Sequence, residues 1–386
     1  MIPYGRQSIS ESDIEAVAAV LHSDFLTQGP AVPAFEKKIS EYCGASHAVA
    51  VNSATSALHI ACLALGVGAG DIVWTSPISF VASANCALYC GAKVDFVDID
   101  PRTYNMSAAA LQEKLAQADL LGQLPKVVIP VHLAGQSCEM EAIHRLSKKY
   151  GFKVIEDASH AIGGQYCGEP IGNCRYSDIC IFSFHPVKII TTAEGGMALT
   201  NSDSLAMRMI SLRSHGISRD PSRMSKIPDG PWYYEQTELG FNYRMTDLQA
   251  ALGLSQAQRL DEFVARRHVL AKKYDHSLSN LPLTIPFQHA DSYSGLHLYV
   301  IRINSDQIDK SHLNVFNEFR NANIGVNLHY MPIYLQPYYQ SLGFSARYCI
   351  EADNYYAQAI SLPMYPDLTD MQQQEVIDVA NHILAK

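Results

Sequence analysis

The chain reads SFHPVKIITTAEGG from Ser183 to Gly196, with a single lysine, Lys188, among apolar and hydroxyl residues. Apolar runs flank this stretch at 179–182 and 197–200. The pattern predicts a strand, a loop that carries Lys188, and a second strand. A lysine in such a loop is expected to be partly desolvated, which lowers its pKa and frees the amine for Schiff-base chemistry with a carbonyl cofactor. The alternative is an exposed surface lysine, the commoner situation for lysines.

The composition is that of an ordinary globular protein. The 386 residues, of which 48% are hydrophobic and 17% charged, are enough for a large core and more than one lobe. The net charge is −9 and no run is rich in Lys or Arg, so we expect no nucleic-acid binding. We also find no apolar signal core and no run of about 18 apolar residues, so we expect no membrane span. The nine cysteines include no C-x-x-C pair. We therefore expect a cytoplasmic protein without a metal site.

Strands and helices alternate through the first part of the chain. Runs typical of buried strands occur at 48–51, 72–75, 93–97, 127–131 and 153–157, and helical patterns lie between them. The alternation predicts an α/β fold, a large domain with a mostly parallel mixed sheet flanked by helices.

The last part of the chain has a different pattern. Strands at 296–303 and 326–329, with helices at 311–322, 351–359 and 369–384, predict a smaller α+β C-terminal domain. We place the large domain at 1–250 and the small one at 251–386. One long helix, 246–278, is expected to bridge them. The irregular segment 219–235 is long for a loop inside a domain, which is typical of functional or disordered segments.

Three positions at strand ends are candidates for ligand binding. Thr55 and Ser56 open the helix after strand 48–51, where free amides attract an anion, although an ordinary N-cap is the alternative. Asp157 ends a buried-type strand and needs a cation or strong donor, unless it caps a following helix. Phe80 follows a strand at the edge where ligands lie, or it is a core aromatic. A phosphate site, a carboxylate for a pyridinium and a lysine for an aldehyde together fit pyridoxal 5'-phosphate.

At these residues the chain resembles the DegT/DnrJ/EryC1/StrS family of sugar-nucleotide aminotransferases, within the fold-type I pyridoxal-phosphate class. The resemblance covers nearly the whole chain and is carried by the segments 26–29, 52–58, 156–160, 183–196, 213–216, 240–245 and 329–332. It implies a homodimer in which the two subunits share their active sites.

The resemblance also implies cofactor contacts. Lys188 would form the Schiff base, and Asp157 would pair with the pyridine nitrogen and keep it protonated. Phe80 would stack on the ring, and His160 would lie beside it. The phosphate contacts would come from the Thr55 and Ser56 amides, the Ser183 hydroxyl and, from the neighbouring subunit, Asn242.

Two departures from the broad family pattern bear on the substrate. Ala54 stands in the phosphate turn where glycine is usual, and His160 replaces a frequent glutamine. With the run 191–196, they resemble the pseudaminic-acid branch, which aminates C4 of UDP-2-acetamido-2,6-dideoxy-β-L-arabino-4-hexulose. The implied donor is L-glutamate, which leaves as 2-oxoglutarate. Candidates for binding the sugar nucleotide are Tyr4, Asp24, Phe25, Leu26, Thr27, His329 and Tyr330.

Three arginines, Arg213, Arg219 and Arg244, are candidates for the diphosphate or the glutamate carboxylate, and each could equally form a structural ion pair. Alternative functions are a C3 or C4 aminotransferase for dTDP- or GDP-linked sugars, or a non-enzymatic regulatory protein on the same fold. Deoxygenation is disfavoured because such relatives replace the lysine that is present here as Lys188.

Overall fold

The computed structural model describes residues 1–384. Its helices are α1 (Glu11–Leu21), α2 (Ala31–Cys43), α3 (Ala54–Ala64), α4 (Ala82–Tyr89), α5 (Ala108–Leu121), α6 (Met140–Tyr150), α7 (Asp203–Arg213), α8 (Asp247–Ala257), α9 (Leu260–Leu278), α10 (His312–Asn321), α11 (Pro337–Ser341), α12 (Ile350–Tyr356) and α13 (Asp370–Leu384). None of the helices within 1–384 combines the length and apolar character needed to cross a membrane.

The strands are β1 (Ile2–Pro3), β2 (His47–Val51), β3 (Ile72–Thr75), β4 (Lys93–Phe96), β5 (Val127–Ile129), β6 (Lys153–Asp157), β7 (Gln165–Tyr166), β8 (Glu169–Pro170), β9 (Ile179–Ser183), β10 (Gly196–Thr200), β11 (Ile217–Ser218), β12 (Glu235–Gln236), β13 (Leu283–Thr284), β14 (Ser292–Tyr293), β15 (Tyr299–Ile303), β16 (Ile324–Gly325) and β17 (Ala359–Leu362).

A seven-stranded sheet forms the centre of the molecule, in the order β2-β10-β9-β6-β5-β3-β4. Its last five strands are parallel, and β10 runs antiparallel to both of its neighbours. Side chains such as Val127, Ile155 and Ile181 are fully buried. Such continuous apolar strands are expected when helices cover both faces of a sheet. The predicted strand, loop and strand around Lys188 are therefore confirmed as β9, the loop 184–195 and β10.

The parallel arrangement brings the carboxyl ends of several strands to one edge. β6 ends at Asp157, β9 at Ser183 and β3 at Thr75, while α3 starts directly after β2. Ligands in open α/β sheets bind at this edge, where loops and helix N-termini converge. The topology thus brings together segments that are more than a hundred residues apart in sequence.

A second core lies in the C-terminal part. The antiparallel sheet β13-β15-β17 packs with α9, α10 and α13, and β1 adds to this part by pairing in parallel with β16. The predicted strand 326–329 is wrong, since the paired residues are Ile324–Gly325. The predicted helix 351–359 is too long: it ends at Tyr356, and β17, which was not predicted, starts at Ala359 and pairs with β15.

The predicted single helix 246–278 is wrong as well. α8 ends at Ala257, and α9 starts at Leu260 after Arg259 leaves helical geometry with φ −106° and ψ 10°. At this break Gln256 and Arg259 both donate to Oδ2 of the buried Asp13, at 2.7 and 2.6 Å. The contact joins residues about 245 positions apart, so the local pattern could not predict it.

The segment 219–235 is largely irregular, as predicted, with one short 3-10 turn at Pro221–Arg223. A two-residue pairing of β11 with β12 closes it at its base. Several large apolar side chains in and just after it are exposed: Ile227, Trp232, Tyr234 and Leu239.

Candidate active site

A cavity of about 730 Å³ opens at the carboxyl edge of the central sheet. Its walls come from the start of α3, the segment after β3, the turn after β6, the loop after β9 and the segment 327–331. The predicted site residues that line it are Tyr4, Thr55, Phe80, Asp157, His160, Ser183, Lys188, His329 and Tyr330.

Lys188 extends from the loop after β9 and is partly buried. A backbone hydrogen bond from its amide to the His185 carbonyl, 2.9 Å long, closes the turn that carries it. Burial lowers the pKa of the Lys188 amine to about 8, and the charge of Asp157 partly opposes this shift. No ion pair within residues 1–384 involves the amine. The amine therefore lies in the cavity with a lowered pKa, and Lys188 is not an exposed surface lysine.

Asp157 is 4% exposed, and both of its oxygens accept hydrogen bonds from hydroxyls. Oδ2 accepts from Ser83 Oγ at 2.6 Å, and Oδ1 accepts from Ser159 Oγ at 2.5 Å. No α-helix begins after Asp157, because residues 159–163 form turns, so it is not a helix cap. A buried carboxylate with hydroxyl donors and without a lysine or arginine partner among the described residues is suited to a cationic ligand group.

The start of α3 offers an anion site. Ser53 is its N-cap and accepts a hydrogen bond from the Ser56 amide at 3.1 Å, while Ser56 Oγ donates to Asn52 Oδ1 at 2.6 Å. Both polar groups of Ser56 are thus used within the protein, and Ser56 is not on the cavity wall. Ala54 and Thr55 are on the wall. Their amides belong to the first turn, which an α-helix leaves without partners of its own.

Two neutral histidines form part of the cavity wall. Burial lowers the pKa of His329 to about 3, and burial together with the charge of Lys188 holds the pKa of His160 well below its usual value. His160 Nδ1 accepts a hydrogen bond from the Ala134 amide at 3.3 Å. The proton of the neutral ring is therefore on Nε2, which lies 3.4 Å from the hydroxyl oxygen Oη of Tyr330.

The aromatic residues line the same wall. The Tyr4 and His329 rings lie 4.9 Å apart, and the Phe80 ring lies 6.4 Å from that of Tyr330. Phe80 is 59% exposed, so it is not a core aromatic. A flat apolar ligand entering the cavity would meet exposed ring surface there.

Other predicted residues lie outside the cavity. Arg213 forms an ion pair with Glu36 at 2.6 Å and donates to the Ala50 carbonyl at 2.7 Å, which is the structural alternative weighed for it. Arg219 and Asn242 are exposed, and Arg244 is partly buried. The stretch Asp24, Phe25, Leu26 and Thr27 is also exposed, and its end contacts the start of α8 through Leu26 and Thr27.

The sequence reasoning missed several residues on the cavity wall: Ser79, Ser83, His185, Glu194, Asn327, Met331 and Gln336. His185 and Glu194 lie inside the stretch around Lys188 and could have been found by their nearness to it. Ser79 and Ser83 are four residues apart, a spacing that places two side chains on one side of a helical turn. Their common contact with Asp157 depends on the tertiary fold.

The donor set fits pyridoxal 5'-phosphate. Helix amides suit the phosphate, a buried carboxylate suits the ring nitrogen, and an amine of lowered pKa suits the aldehyde. A Cβ at Gly196 would lie 2.4 Å from the Ala54 amide nitrogen, so the absence of a side chain there allows β10 to approach the helix start closely. No group of residues within 1–384 is arranged to hold a metal ion. The fold and site define a pyridoxal-phosphate-dependent aminotransferase.

Comparison with known proteins agrees with this class. Residues 7–381 match the model of the DegT/DnrJ/EryC1/StrS aminotransferase family, and the chain belongs to this family. It is 38% identical over 387 residues to the spore coat polysaccharide biosynthesis protein SpsC of Bacillus subtilis, covering 99% of this chain and 97% of that protein. It is 37% identical over 390 residues to the UDP-4-amino-4,6-dideoxy-N-acetyl-β-L-altrosamine transaminase of Campylobacter jejuni, covering 100% and 98%.

Solved structures show the same relationship. PseC of Helicobacter pylori, an aminotransferase of pseudaminic acid biosynthesis, has a TM-score of 0.90 at 30% identity, with 99% of each chain covered. The PMP form of Spr1654 from Streptococcus pneumoniae has a TM-score of 0.89 at 28% identity, again with 99% of each chain covered. The predicted family, fold class and cofactor are confirmed, and the protein is a PLP-dependent sugar aminotransferase.

Proposed function

We propose that the enzyme moves the amino group of L-glutamate to the C4 keto carbon of UDP-2-acetamido-2,6-dideoxy-β-L-arabino-4-hexulose. The observation that carries amino transfer is Lys188, whose pKa is lowered to about 8, beside the hydroxyl-bound Asp157 in one cavity. The choice of sugar is supported by the full-length similarity to the Campylobacter jejuni transaminase and to PseC.

Pyridoxal phosphate supplies an electron-accepting ring that carries the amino group between donor and acceptor. Lys188 would accept a proton from the carbon that bears the donor amino group, acting as base, and would then deliver it as acid to the cofactor carbon that receives the amino group. With a pKa of about 8, roughly one such amine in ten is unprotonated at pH 7. The Asp157 carboxylate would pair with the ring nitrogen and keep it protonated. His160 offers an Nε2–H donor without adding positive charge to the cavity.

We also propose that the active enzyme is a homodimer with shared sites. The substrate carries a diphosphate, yet Lys188 is the only lysine or arginine on the cavity wall among residues 1–384. Further cations would have to come from outside that wall, and Arg219 and Arg244 remain candidates. The exposed apolar side chains Ile227, Trp232 and Leu239 in the same region suit a protein interface.

The test of function is spectroscopic. Purified holoenzyme is mixed with L-glutamate, and loss of the visible band of lysine-bound cofactor is expected together with gain of the near-ultraviolet band of the amine form. Addition of the 4-keto UDP sugar should restore the visible band, while dTDP- or GDP-linked 4-keto sugars should restore it much more slowly. Faster restoration by a dTDP or GDP sugar would refute the choice of nucleotide. An unchanged spectrum with glutamate would refute the donor.

The test of shared sites uses two variants that are each expected to be inactive. The first is Lys188→Ala, and the second is the double variant Asn242→Ala with Arg219→Ala. If the sites are shared, mixing the variants and allowing subunits to exchange restores part of the activity, because one site in the mixed dimer carries neither change. A monomer by light scattering, or no recovery after demonstrated exchange, would contradict the proposal.

A further inference from the structure

Three serines surround Asp157 and connect it to the segment after β3. Ser83 Oγ lies 2.6 Å from Asp157 Oδ2, and Ser79 Oγ lies 2.7 Å from Ser83 Oγ. On the other side Ser159 Oγ lies 2.5 Å from Asp157 Oδ1. Ser79, Ser83 and Asp157 are 4%, 1% and 4% exposed, so these hydrogen bonds are largely shielded from water although the residues line the cavity.

The direction of these hydrogen bonds follows from the chemistry of the groups. A carboxylate only accepts, so Ser83 must use its one hydroxyl proton on Asp157. The Ser83 oxygen can then only accept from Ser79, which makes Ser79 the donor of the 2.7 Å bond. Each donation polarises the next hydroxyl, so the Ser79 contact strengthens the bond from Ser83 to Asp157.

The two sides of the carboxylate are held from different parts of the fold. Ser159 lies two residues after Asp157 in the same turn, so its contact with the carboxylate is local. Ser83 lies in α4, 74 positions before Asp157. Rotation of the carboxylate would break a charge-assisted bond to Ser83, and such bonds are about twice as strong as neutral ones. Ser83 therefore holds Oδ2 of the Asp157 carboxylate from α4, while Ser159 holds Oδ1 through its hydroxyl and its amide.

We propose that Ser83, supported by Ser79, is a positioning residue that orients the Asp157 carboxylate toward the cofactor ring nitrogen and so keeps that nitrogen protonated. The proposal rests on the proposed role of Asp157 in the aminotransferase reaction. It does not depend on which sugar or amino donor the enzyme uses.

The experiment compares Ser83→Ala, Ser79→Ala and the double variant with Ser147→Ala as matched control. Ser147 is also a buried serine, but its hydroxyl donates to the His144 carbonyl within α6, away from the cavity. Enzyme loaded with cofactor whose ring nitrogen is isotope-labelled is examined by NMR, which reports the protonation of that nitrogen directly. Cofactor affinity of the apoenzyme and the rate of conversion by L-glutamate are measured alongside.

The expected result is a shift of the ring-nitrogen signal toward the unprotonated position in Ser83→Ala, with glutamate conversion slowed by roughly 10- to 100-fold, the range for loss of one bond to a charged group. Ser79→Ala should give a smaller change of the same sign. The double variant should be no worse than Ser83→Ala, because Ser79 acts through Ser83. Ser83→Thr, which keeps the hydroxyl, should show the ring-nitrogen signal of the parent enzyme. Ser147→Ala should also leave that signal unchanged.

An unshifted signal and a conversion rate within twofold of the parent enzyme in Ser83→Ala would overturn the proposal, as would additive effects of the two changes. If Ser83→Ala does not fold, Ser79→Ala carries the test by itself, and an unshifted signal there would overturn it. If the parent enzyme is not converted by glutamate, the proposed donor fails, while the ring-nitrogen NMR signal still decides the role of Ser83.

Discussion

Replacement of Lys188 by methionine should stabilise the apoprotein near neutral pH while it abolishes transamination. The folded protein lowers the pKa of this amine from 10.5 to about 8, mainly by burial. The folded state therefore binds the proton less tightly than the unfolded state does. Below the folded pKa the protonated lysine is held in an unfavourable site, and this cost disappears as the pH rises toward the unfolded pKa.

The magnitude follows from the shift itself. A change from 10.5 to about 8 corresponds to about 3 kcal/mol of destabilisation at pH 7, at about 1.4 kcal/mol per pKa unit. By pH 9.5 the same relation leaves about 1.4 kcal/mol, because most amines in the folded protein have lost their proton. We expect Lys188→Met to raise the free energy of unfolding by about 3 kcal/mol at pH 7 and by less than half of that at pH 9.5.

The assay is denaturant unfolding of cofactor-free protein at both pH values, at one fixed protein concentration because subunit association contributes to stability. Lys37→Met is the matched control, since Lys37 is exposed and its contact with Glu41 at 3.7 Å lies on the surface. A Lys188→Met apoprotein that is no more stable than the parent at pH 7 would refute the reasoning. So would a stability gain that does not change between pH 7 and pH 9.5.

Three further outcomes follow from the contacts. Asp157→Asn should retain the fold but slow conversion by glutamate by roughly 100-fold or more, in the range for removing one partner of a buried charge pair. Stopped-flow absorbance measures the conversion rate, and conversion at the parent rate would contradict this prediction. Arg213→Gln should lower the free energy of unfolding by about 2 kcal/mol, since Glu36 then loses its cationic partner at 2.6 Å and keeps the Ala50 amide at 2.8 Å. KM for both substrates should stay within twofold, and a selective rise in KM would instead indicate substrate binding. Gly196→Ala should weaken cofactor affinity at least about tenfold, because the new Cβ would lie 2.4 Å from the Ala54 amide nitrogen and displace the start of α3. Equilibrium dialysis measures the affinity, and an unchanged affinity would contradict this prediction.

The central sheet and the position of Lys188 could be predicted because local patterns determine them. Buried parallel strands carry apolar residues on both faces, so β5, β6 and β9 are recognisable without any partner. Lys188 is the single lysine in a stretch of mostly apolar and hydroxyl residues, and Asp157 ends a largely apolar strand. A charged group at such a place is costly unless it has a purpose, which is why both residues could be selected.

Features that depend on distant contacts could not be predicted. The break between α8 and α9 coincides with contacts to Asp13, and β17 is a four-residue strand defined by its pairing with β15. The same limit applies in the site. Ser83 contacts Asp157 across 74 positions, so the sequence did not indicate it. Arg213 contacts Glu36 across 177 positions, so the sequence left its role open between ligand binding and a structural ion pair.

The protonation states of the cavity depend on one another. His160 and His329 are buried near Lys188, and the positive charge of the lysine adds to burial in keeping both imidazoles neutral. The neutral rings in turn place no additional positive charge beside Lys188, whose pKa is lowered by burial only to about 8. A charged histidine here would lower the pKa of the amine further by charge repulsion. Because both histidines stay neutral, the pKa of Lys188 is set by its own burial, partly opposed by the charge of Asp157.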